Sequence, residues 1–245
     1  MKILADYHTH TIYSNGKNGK RKHAFGTIEE NVQEAIKKGL KTIGISDHSY
    51  RHLLYGLNRD SIFEMREEID RLNEKYKEIE ILLGVECNIL DNKGTIDMDY
   101  KIREQLDYVL AGYHFASEPT SFRCLLNHGD NFLLKTKRSR RYNTDAIVNA
   151  MKNNDIFMIT HPGDKGDVYI EEIAEEAKKR NIILEINSSH AHLNAEQLTQ
   201  IAKYENRLMI GSDAHKPFMV GNFSLGLETV KNSGIDIKRI ENITE

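Results

Sequence analysis

Seven short apolar runs alternate with amphipathic helical segments along this chain of 245 residues, and this alternation constrains the fold more than any other feature. The runs are rich in Ile, Leu and Val, as parallel strands covered on both faces should be. They are Ile3–His8, Thr42–Ser46, Ile81–Glu86, Tyr108–Gly112, Ile156–Thr160, Ile182–Ile186 and Leu208–Gly211. Repeated strand–helix units predict a mostly parallel sheet. Seven units in one domain favour a barrel, with an open doubly wound sheet as the alternative.

Capping patterns between the runs indicate where helices begin and end. We expect N-terminal caps at Thr27, Ser61 and Asn194, each followed three residues later by Glu or Gln, and a helix end at Gly39. Predicted helices include Val168–Arg180 and Ala195–Tyr204. The segments predicted to be irregular are Asn15–Gly26, Asp91–Asp99 and Ala116–Tyr142. Loops of this length in a compact domain are usually functional or disordered.

Charge and cysteine content exclude several classes of protein. The chain has 34 Lys and Arg against 37 Asp and Glu, and its net charge of −3 offers no bulk attraction to nucleic acid or an anionic membrane. No run approaches the roughly 18 apolar residues of a membrane span, and the N-terminus MKILADYHTH does not resemble a signal peptide. Two cysteines are too few for a disulfide framework. We therefore expect a single cytoplasmic domain over residues 1–245.

Polar residues gather at the carboxyl ends of the predicted strands. Those ends read ADYHTH, ISDH, LLGVE, LAGYH, MITH, LEINSSH and MIGSDAH. Six of the seven deliver a His, Glu or Asp at or just after the last strand residue, and the other ends in Asn and Ser. In an α/β barrel these ends face one rim, where active sites lie. Residues far apart in sequence are thus predicted to lie close together at this rim.

The spacing within two of these strand ends indicates metal binding. His8 and His10 are two residues apart on a strand, so their side chains face the same way with Cα atoms about 6.6 Å apart. Asp6 is predicted on the same face, where it could orient a ligand without itself binding the metal. Asp213 and His215 repeat the spacing on the last strand. A single pair of this kind is equally consistent with a polar strand end and with a metal site. Two pairs on one rim favour a metal site.

Four further side chains, His48, Glu86, His114 and His161, are predicted at the same rim. Imidazole and carboxylate ligands without a thiolate cluster suit zinc, manganese or iron, and are too rich in nitrogen for calcium or magnesium alone. The candidates outnumber the ligands of one tetrahedral ion. We therefore expect two or three divalent ions that share a bridging carboxylate, either Glu86 or Asp213.

Eight motifs, in this order, resemble those of the PHP (polymerase and histidinol phosphatase) family, specifically its stand-alone phosphatase-like branch. They are DYHTH (Asp6–His10), HAF (His23–Phe25), SDH (Ser46–His48), GVE (Gly84–Glu86), GYH (Gly112–His114), THPG (Thr160–Gly163), EINSS (Glu185–Ser189) and GSDAH (Gly211–His215). The resemblance covers nearly the whole chain. It implies a distorted (βα)7 barrel with a trinuclear centre, usually of zinc, manganese or iron.

The resemblance also implies ligands for each ion. One metal would take His8, His10, Glu86 and Asp213, a second would share Glu86 and take His114 and His161, and a third would take His23, His48 and His215. Clustered metals acidify bound water and stabilise charge in an in-line displacement at phosphorus. We expect the attacking group to be a metal-bound hydroxide held by Glu86, Asp213 and His215, so that no Ser or Cys nucleophile is needed.

Two basic segments could supply positive charge to a phosphate. They contain Lys17, Lys20, Arg21 and Lys22 in the first irregular stretch, and Lys135, Lys137, Arg138, Arg140 and Arg141 in the third. Arg is well suited to bidentate phosphate contact, so Arg138, Arg140 and Arg141 are the expected phosphate-binding residues. The alternative is a solvated basic loop.

Three functions are compatible with these features. The leading hypothesis is a metal-dependent phosphomonoesterase acting on a small phosphorylated metabolite, with histidinol phosphate as one possible substrate. A phosphodiesterase or 3′–5′ exonuclease acting on nucleotides or nucleic acid is the alternative, which the basic segments favour and the net charge opposes. The third is a metal-binding scaffold without turnover, which the full set of nine ligand positions opposes.

Overall fold

The computed structural model describes residues 2–16 and 22–244. Its strands are β1 (Lys2–Ile3), β2 (Ala5–Thr9), β3 (Thr42–Ile45), β4 (Glu80–Asn88), β5 (Tyr108–Gly112), β6 (Met158–Ile159), β7 (Ile183–Asn187), β8 (Leu208–Gly211) and β9 (Ile243–Thr244). Strands β2 to β8 form one parallel sheet in sequence order, and β1 pairs with β9 in a separate antiparallel pair. The seven predicted strands are therefore all present.

Closure of the seven-stranded sheet depends on contacts between its first and last strands. Thr9 forms a parallel bridge with Ala214, just after β8. The Ala214 backbone N–H donates to His8 O at 3.3 Å, and the Ala214 carbonyl accepts from the N–H of His10 at 2.8 Å. The sheet is thus a nearly closed, distorted (βα)7 barrel, which confirms the barrel over the open sheet.

The helices of the described residues cover the outside of the barrel. They are α1 (Ile28–Lys38), α2 (Ser61–Lys75), α3 (Tyr100–Arg103), α4 (Phe122–Leu133), α5 (Lys137–Asn153), α6 (Ile170–Arg180), α7 (Ala195–Ile201) and α8 (Ser224–Ser233). Thr27 and Asn194 form the predicted capping boxes, and Gly39 ends α1 in the left-handed conformation. Ser61 is instead the first residue of α2, and the preceding Asp60 makes no side-chain cap. No helix in the described part of the chain combines the length and apolar character of a membrane span.

The prediction that 116–142 is irregular was wrong, because this segment contains all of α4 and the start of α5. The buried positions of α4 are Cys124, Asn127, His128 and Asn131. An amphipathic helix normally turns its apolar face to the core. Because α4 buries mainly polar side chains, its sequence lacks the apolar inner face by which a surface helix is usually recognised.

Side chains fill the interior of the barrel toward the amino ends of its strands. The buried cluster there consists of Tyr108, Leu110, Met158, Ile183 and Met209. Tyr108 lies across Gly44 and Gly84, where an added Cβ would collide with the phenol ring, and its hydroxyl donates to Tyr7 O at 2.8 Å. Apolar packing therefore closes the barrel at the amino ends of the strands. The polar side chains lie at the carboxyl ends.

Candidate metal centre

Glu86, near the carboxyl end of β4, is fully buried at the middle of a histidine cluster. Its Oε1 lies 3.0 Å from His161 Nε2 and 3.2 Å from His114 Nε2. The Thr160 hydroxyl donates to the same oxygen at 2.6 Å. Burial raises the pKa of Glu86, but neighbouring imidazoles, His114 foremost, outweigh it and hold that pKa well below its usual value. Glu86 is therefore an anion in this site.

The second oxygen of Glu86 faces a different group of rings. Glu86 Oε2 lies 2.9 Å from His48 Nδ1, 3.4 Å from His8 Nε2 and 3.7 Å from His10 Nε2. Neither Glu86 Oε2 nor His48 Nδ1 makes a hydrogen bond of acceptable geometry within the described residues. Each oxygen of the carboxylate thus serves its own set of imidazoles, as a carboxylate that bridges two ions would.

Asp213, just after β8, is the second carboxylate of the cluster. Its Oδ1 lies 3.2 Å from His10 Nε2 and 3.6 Å from His8 Nε2, and its Oδ2 lies 3.2 Å from His190 Nε2. Burial raises the pKa of Asp213, yet the imidazoles, led by His8 and His215, hold it well below its usual value. Asp213 is therefore a second buried anion.

His23 completes a group of three imidazoles at the outer side of the cluster. Its Nε2 lies 3.1 Å from His48 Nε2 and 3.0 Å from His215 Nε2. Burial and the neighbouring imidazole of His215 lower the pKa of His23 to about 3, so its ring is neutral at physiological pH. The ring stacks on Tyr55, with centroids 3.7 Å apart. Three convergent ring nitrogens of this kind suit an ion placed between them.

Hydrogen bonds on the far side of three rings fix which nitrogen points inward. His8 Nδ1 lies 2.6 Å from Glu185 Oε1, His114 Nδ1 lies 2.9 Å from Asn88 Oδ1, and His215 Nδ1 lies 3.0 Å from the Asp213 carbonyl. Each contact assigns the ring proton to Nδ1 and leaves the Nε2 lone pair toward the cluster. Metal-binding histidines are typically oriented in this way.

The donor atoms fit divalent ions. The buried atoms without a hydrogen-bond partner among the described residues include His8 Nε2, His10 Nδ1, His48 Nδ1, Glu86 Oε2 and His114 Nε2. Leaving such atoms unsatisfied is costly, which indicates that the site is built for a bound group. Four sets of ligand atoms lie within 4.8 Å of one another: His8/His10/Asp213, His8/Glu86/His161, His48/Glu86/His114 and His10/His48/His215. These sets contain eight of the nine predicted ligands, and His23 joins them through its contacts with His48 and His215. The roles of all nine stay predictions.

Asp6 does not occupy the position predicted for it. The pairing of β2 with β3 shifts register between Asp6 and Thr9, and a bulge of this kind interrupts the alternation of side chains. The Asp6 carboxylate accepts backbone N–H groups of Ser212 at 3.2 Å and Gly221 at 2.9 Å, with His8 N at 3.4 Å. It therefore holds the backbone around β8 and orients no ligand ring.

Glu185 takes the orienting role in place of Asp6. Besides its contact with His8, its Oε2 accepts the His161 backbone N–H at 2.8 Å and Asn187 Nδ2 at 3.1 Å. A Cβ at Gly211, on the neighbouring strand, would collide with Glu185 Oε1, so glycine there leaves room for the carboxylate. Glu185 belongs to the EINSS motif but had no predicted role, although the alternation of Ile183, Glu185 and Asn187 along β7 could have placed it inside the barrel.

A pocket of about 330 Å³ opens above the cluster. It is lined by His23, His48, Tyr55, His114, His161, Lys165, Ser189, His190, Asp213, His215 and Met219. Lys165, which sequence analysis did not single out, is the cation in this lining. Its ammonium pairs with Asp164 and its side chain is one-third exposed. A negatively charged group entering the pocket would meet the Lys165–Asp164 pair in its lining.

The three arginines expected to bind phosphate do not line this pocket. They lie on the first turns of α5, which carries them to the outside of the barrel. Arg140 donates to the Val168 carbonyl at 2.9 Å and Arg141 forms a bidentate pair with Glu172, while Arg138 lines a groove beside α4. Lys17, Lys20 and Arg21 lie outside the described residues.

The chain resembles known proteins over most of its length. The family model described as the PHP domain matches residues 6–189. A protein named probable phosphatase from Thermoanaerobacter sp. (strain X514) is 35% identical, over 96% of this chain and 88% of its own length. A probable phosphatase from Caldanaerobacter subterraneus subsp. tengcongensis is 33% identical, over 95% of this chain and 84% of its own length.

Two solved structures share the fold at low sequence identity. Histidinol phosphate phosphatase from Lactococcus lactis, complexed with zinc, L-histidinol and phosphate, superposes with a TM-score of 0.64 at 18% identity, over 96% of this chain and 95% of that one. A putative histidinol phosphatase from Listeria monocytogenes gives a TM-score of 0.67 at 14% identity, over 89% of this chain and 97% of that one. These similarities support the barrel architecture.

Proposed function

The chain belongs to the PHP domain family, and on that premise we propose that it is a metal-dependent phosphomonoesterase acting on a small phosphorylated metabolite. The observation that carries this proposal is the convergence of seven imidazoles and two carboxylates on one rim, with Glu86 offering one oxygen to each of two groups of rings. The curated relatives named probable phosphatases support phosphate-ester chemistry, and the neighbour that holds L-histidinol and phosphate makes histidinol phosphate a substrate to test.

The proposed centre holds two or three divalent ions, with zinc favoured and manganese or iron compatible with the same ligands. We assign Glu86 as the bridge because its two oxygens face different imidazoles. We also propose that the domain extends over residues 1–245. Asp213 and His215 lie beyond the matched residues 6–189, yet they complete the ligand set.

Ions bound here would lower the pKa of a coordinated water and neutralise charge on the phosphoryl oxygens. The protein's own contribution is to fix the geometry around them. Thr160 and the surrounding imidazoles hold Glu86 ionised and in place, and Glu185 presents the His8 lone pair to the cluster. Lys165 would offer a positive charge in the pocket lining to the phosphate of a substrate.

Paired hydrolysis assays test this function. We expect the metal-loaded protein to cleave p-nitrophenyl phosphate faster than bis-p-nitrophenyl phosphate, to lose activity on chelation and to regain it with added metal. Histidinol phosphate belongs in a panel of small monoesters assayed in parallel. Preference for the diester would overturn the monoesterase assignment in favour of a phosphodiesterase. Fewer than two bound ions per chain after reconstitution would contradict the multinuclear centre.

Replacing Lys165 with Ala should raise KM for phosphate monoesters about tenfold with a smaller effect on kcat, because a charged hydrogen bond to the entering phosphate is lost. Lys165→Arg should keep KM within a few-fold of wild type, since it preserves the charge. Lys152→Ala, which removes an exposed lysine from α5, serves as the matched control. An unchanged KM in Lys165→Ala would show that this lysine does not contact the substrate.

A further inference from the structure

Helix α4 exposes its apolar face to solvent. Phe122, Leu125, Leu126, Phe132 and Leu133 are between 52% and 74% exposed, and Leu134 directly after the helix is 72% exposed. We call these six side chains the α4 face. They have no bearing on the metal centre or on the function proposed for it.

Hydrogen bonds on the inner side of α4 hold this orientation. Asn127 Nδ2 donates to Tyr113 Oη and to Asn143 Oδ1, both at 2.8 Å. Asn131 and Asn143 exchange side-chain hydrogen bonds at 3.0 and 2.8 Å, and Cys124 Sγ donates to the Leu90 carbonyl at 3.0 Å. Turning the helix to bury its apolar side would break these bonds and expose polar groups that are now satisfied. The fold therefore specifies that the α4 face points outward.

The area of the α4 face is suited to a protein interface. With the exposures given above, its six side chains amount to roughly 700 Å² of apolar surface, above the roughly 300–600 Å² typical of the largest patch on a monomer. A standard-size interface takes roughly 800 Å² from each partner. The α4 face alone thus nearly supplies one side of a stable dimer.

The pattern of the α4 face is self-complementary. Leu125 and Leu126 lie four and three residues before Gly129, and Phe132 and Leu133 lie three and four residues after it. An antiparallel copy of the helix crossing at Gly129 would therefore set apolar residues opposite apolar residues. Gly129 is exposed, and a Cβ built on it meets no atom within 4 Å, so a second backbone can approach closely there. A symmetric two-fold interface requires such a surface.

We propose that the chain forms a two-fold symmetric dimer in which α4 packs antiparallel against α4 of a second copy, with Gly129 at the crossing point. The two copies bury the α4 faces against each other, and Leu126 of one copy faces Phe132 of the other. At the usual interaxial distance of about 8–10 Å, facing Cα atoms near the crossing come within the roughly 4.4–6.8 Å that a disulfide can span.

Molar mass measured by light scattering and sedimentation tests this dimer. We expect the full-length protein to have the mass of two chains and Leu126→Lys to have the mass of one, with unchanged circular dichroism because the replaced side chain is exposed. Phe63→Lys, at an exposed apolar position on α2, is the matched control and should stay dimeric. A wild-type protein of one-chain or three-chain mass, or a Leu126→Lys variant that stays dimeric, would overturn the proposal.

An engineered cysteine tests the crossing point itself. Gly129→Cys should form an intermolecular disulfide under mild oxidation, whereas Lys152→Cys on exposed α5 should not, and both native cysteines are buried. Rapid cross-linking of Lys152→Cys but not of Gly129→Cys would contradict the pairing. Binding of a one-chain species to lipid vesicles, lost in Leu126→Lys, would assign the α4 face to a membrane surface and overturn the dimer.

Discussion

Replacing Glu86 with Gln should remove more than one metal ion per chain and lower kcat on the order of 10³-fold, since stabilisation by metal ions is worth several kcal/mol. Glutamine keeps the size of the side chain but lacks the negative charge that balances the ions. Because the two Glu86 oxygens face different imidazoles, one substitution weakens two sites together. Elemental analysis after reconstitution, with steady-state hydrolysis of p-nitrophenyl phosphate, measures both effects.

A control on the same strand separates this effect from general damage to the fold. Glu80→Gln changes the exposed first residue of β4 and should retain both metal and activity. Circular dichroism of Glu86→Gln should match wild type, because a neutral side chain of equal size fills the same buried space. A Glu86→Gln protein that keeps its full complement of metal would refute Glu86 as the bridge, whatever its activity.

Replacing Glu185 with Gln should weaken metal binding about 10–100-fold, as expected when a group that orients a histidine ligand is lost. Glu185 accepts the ring N–H of His8 and also the backbone N–H of His161, so it controls two predicted ligands together. The substitution leaves a neutral acceptor where a carboxylate stood.

The measurement for Glu185→Gln is metal affinity, obtained by titration against a competing chelator. A positioning role predicts that saturating metal restores most of kcat, whereas collapse of the site would leave the protein inactive at any metal concentration. Glu176→Gln, at a buried carboxylate on α6 that pairs with Arg180, is the matched control and should bind metal normally. Unchanged metal affinity in Glu185→Gln would contradict the assigned role.

The barrel and the gathering of candidate ligands could be predicted because both depend on local, periodic signals. Short apolar runs identify strands, and parallel strands in order bring their carboxyl ends to one rim. Glu86, His114 and Asp213 were therefore placed together without knowledge of any contact. The structure shows that they do meet, within hydrogen-bonding distance of shared neighbours.

The misplaced features depend on interactions that no local pattern encodes. The register shift after Asp6 is a property of the pairing between β2 and β3, and one displaced residue moves a side chain to the opposite face. The orientation of α4 is set by a hydrogen-bond network with Tyr113 and Asn143, which lie outside the helix. Arg140 and Arg141 were expected near the metals only because the segment that carries them was taken for a loop.

Packing of Tyr108 across Gly44 and Gly84 has a kinetic consequence for the site above it. In the described residues that end of the barrel is filled, so the route to the candidate ligands runs through the pocket at the carboxyl ends of the strands. Under the proposed phosphomonoesterase function, inorganic phosphate would leave through the pocket by which the next substrate molecule enters. Product and substrate would then share one route, so slow release of phosphate would limit the rate of turnover.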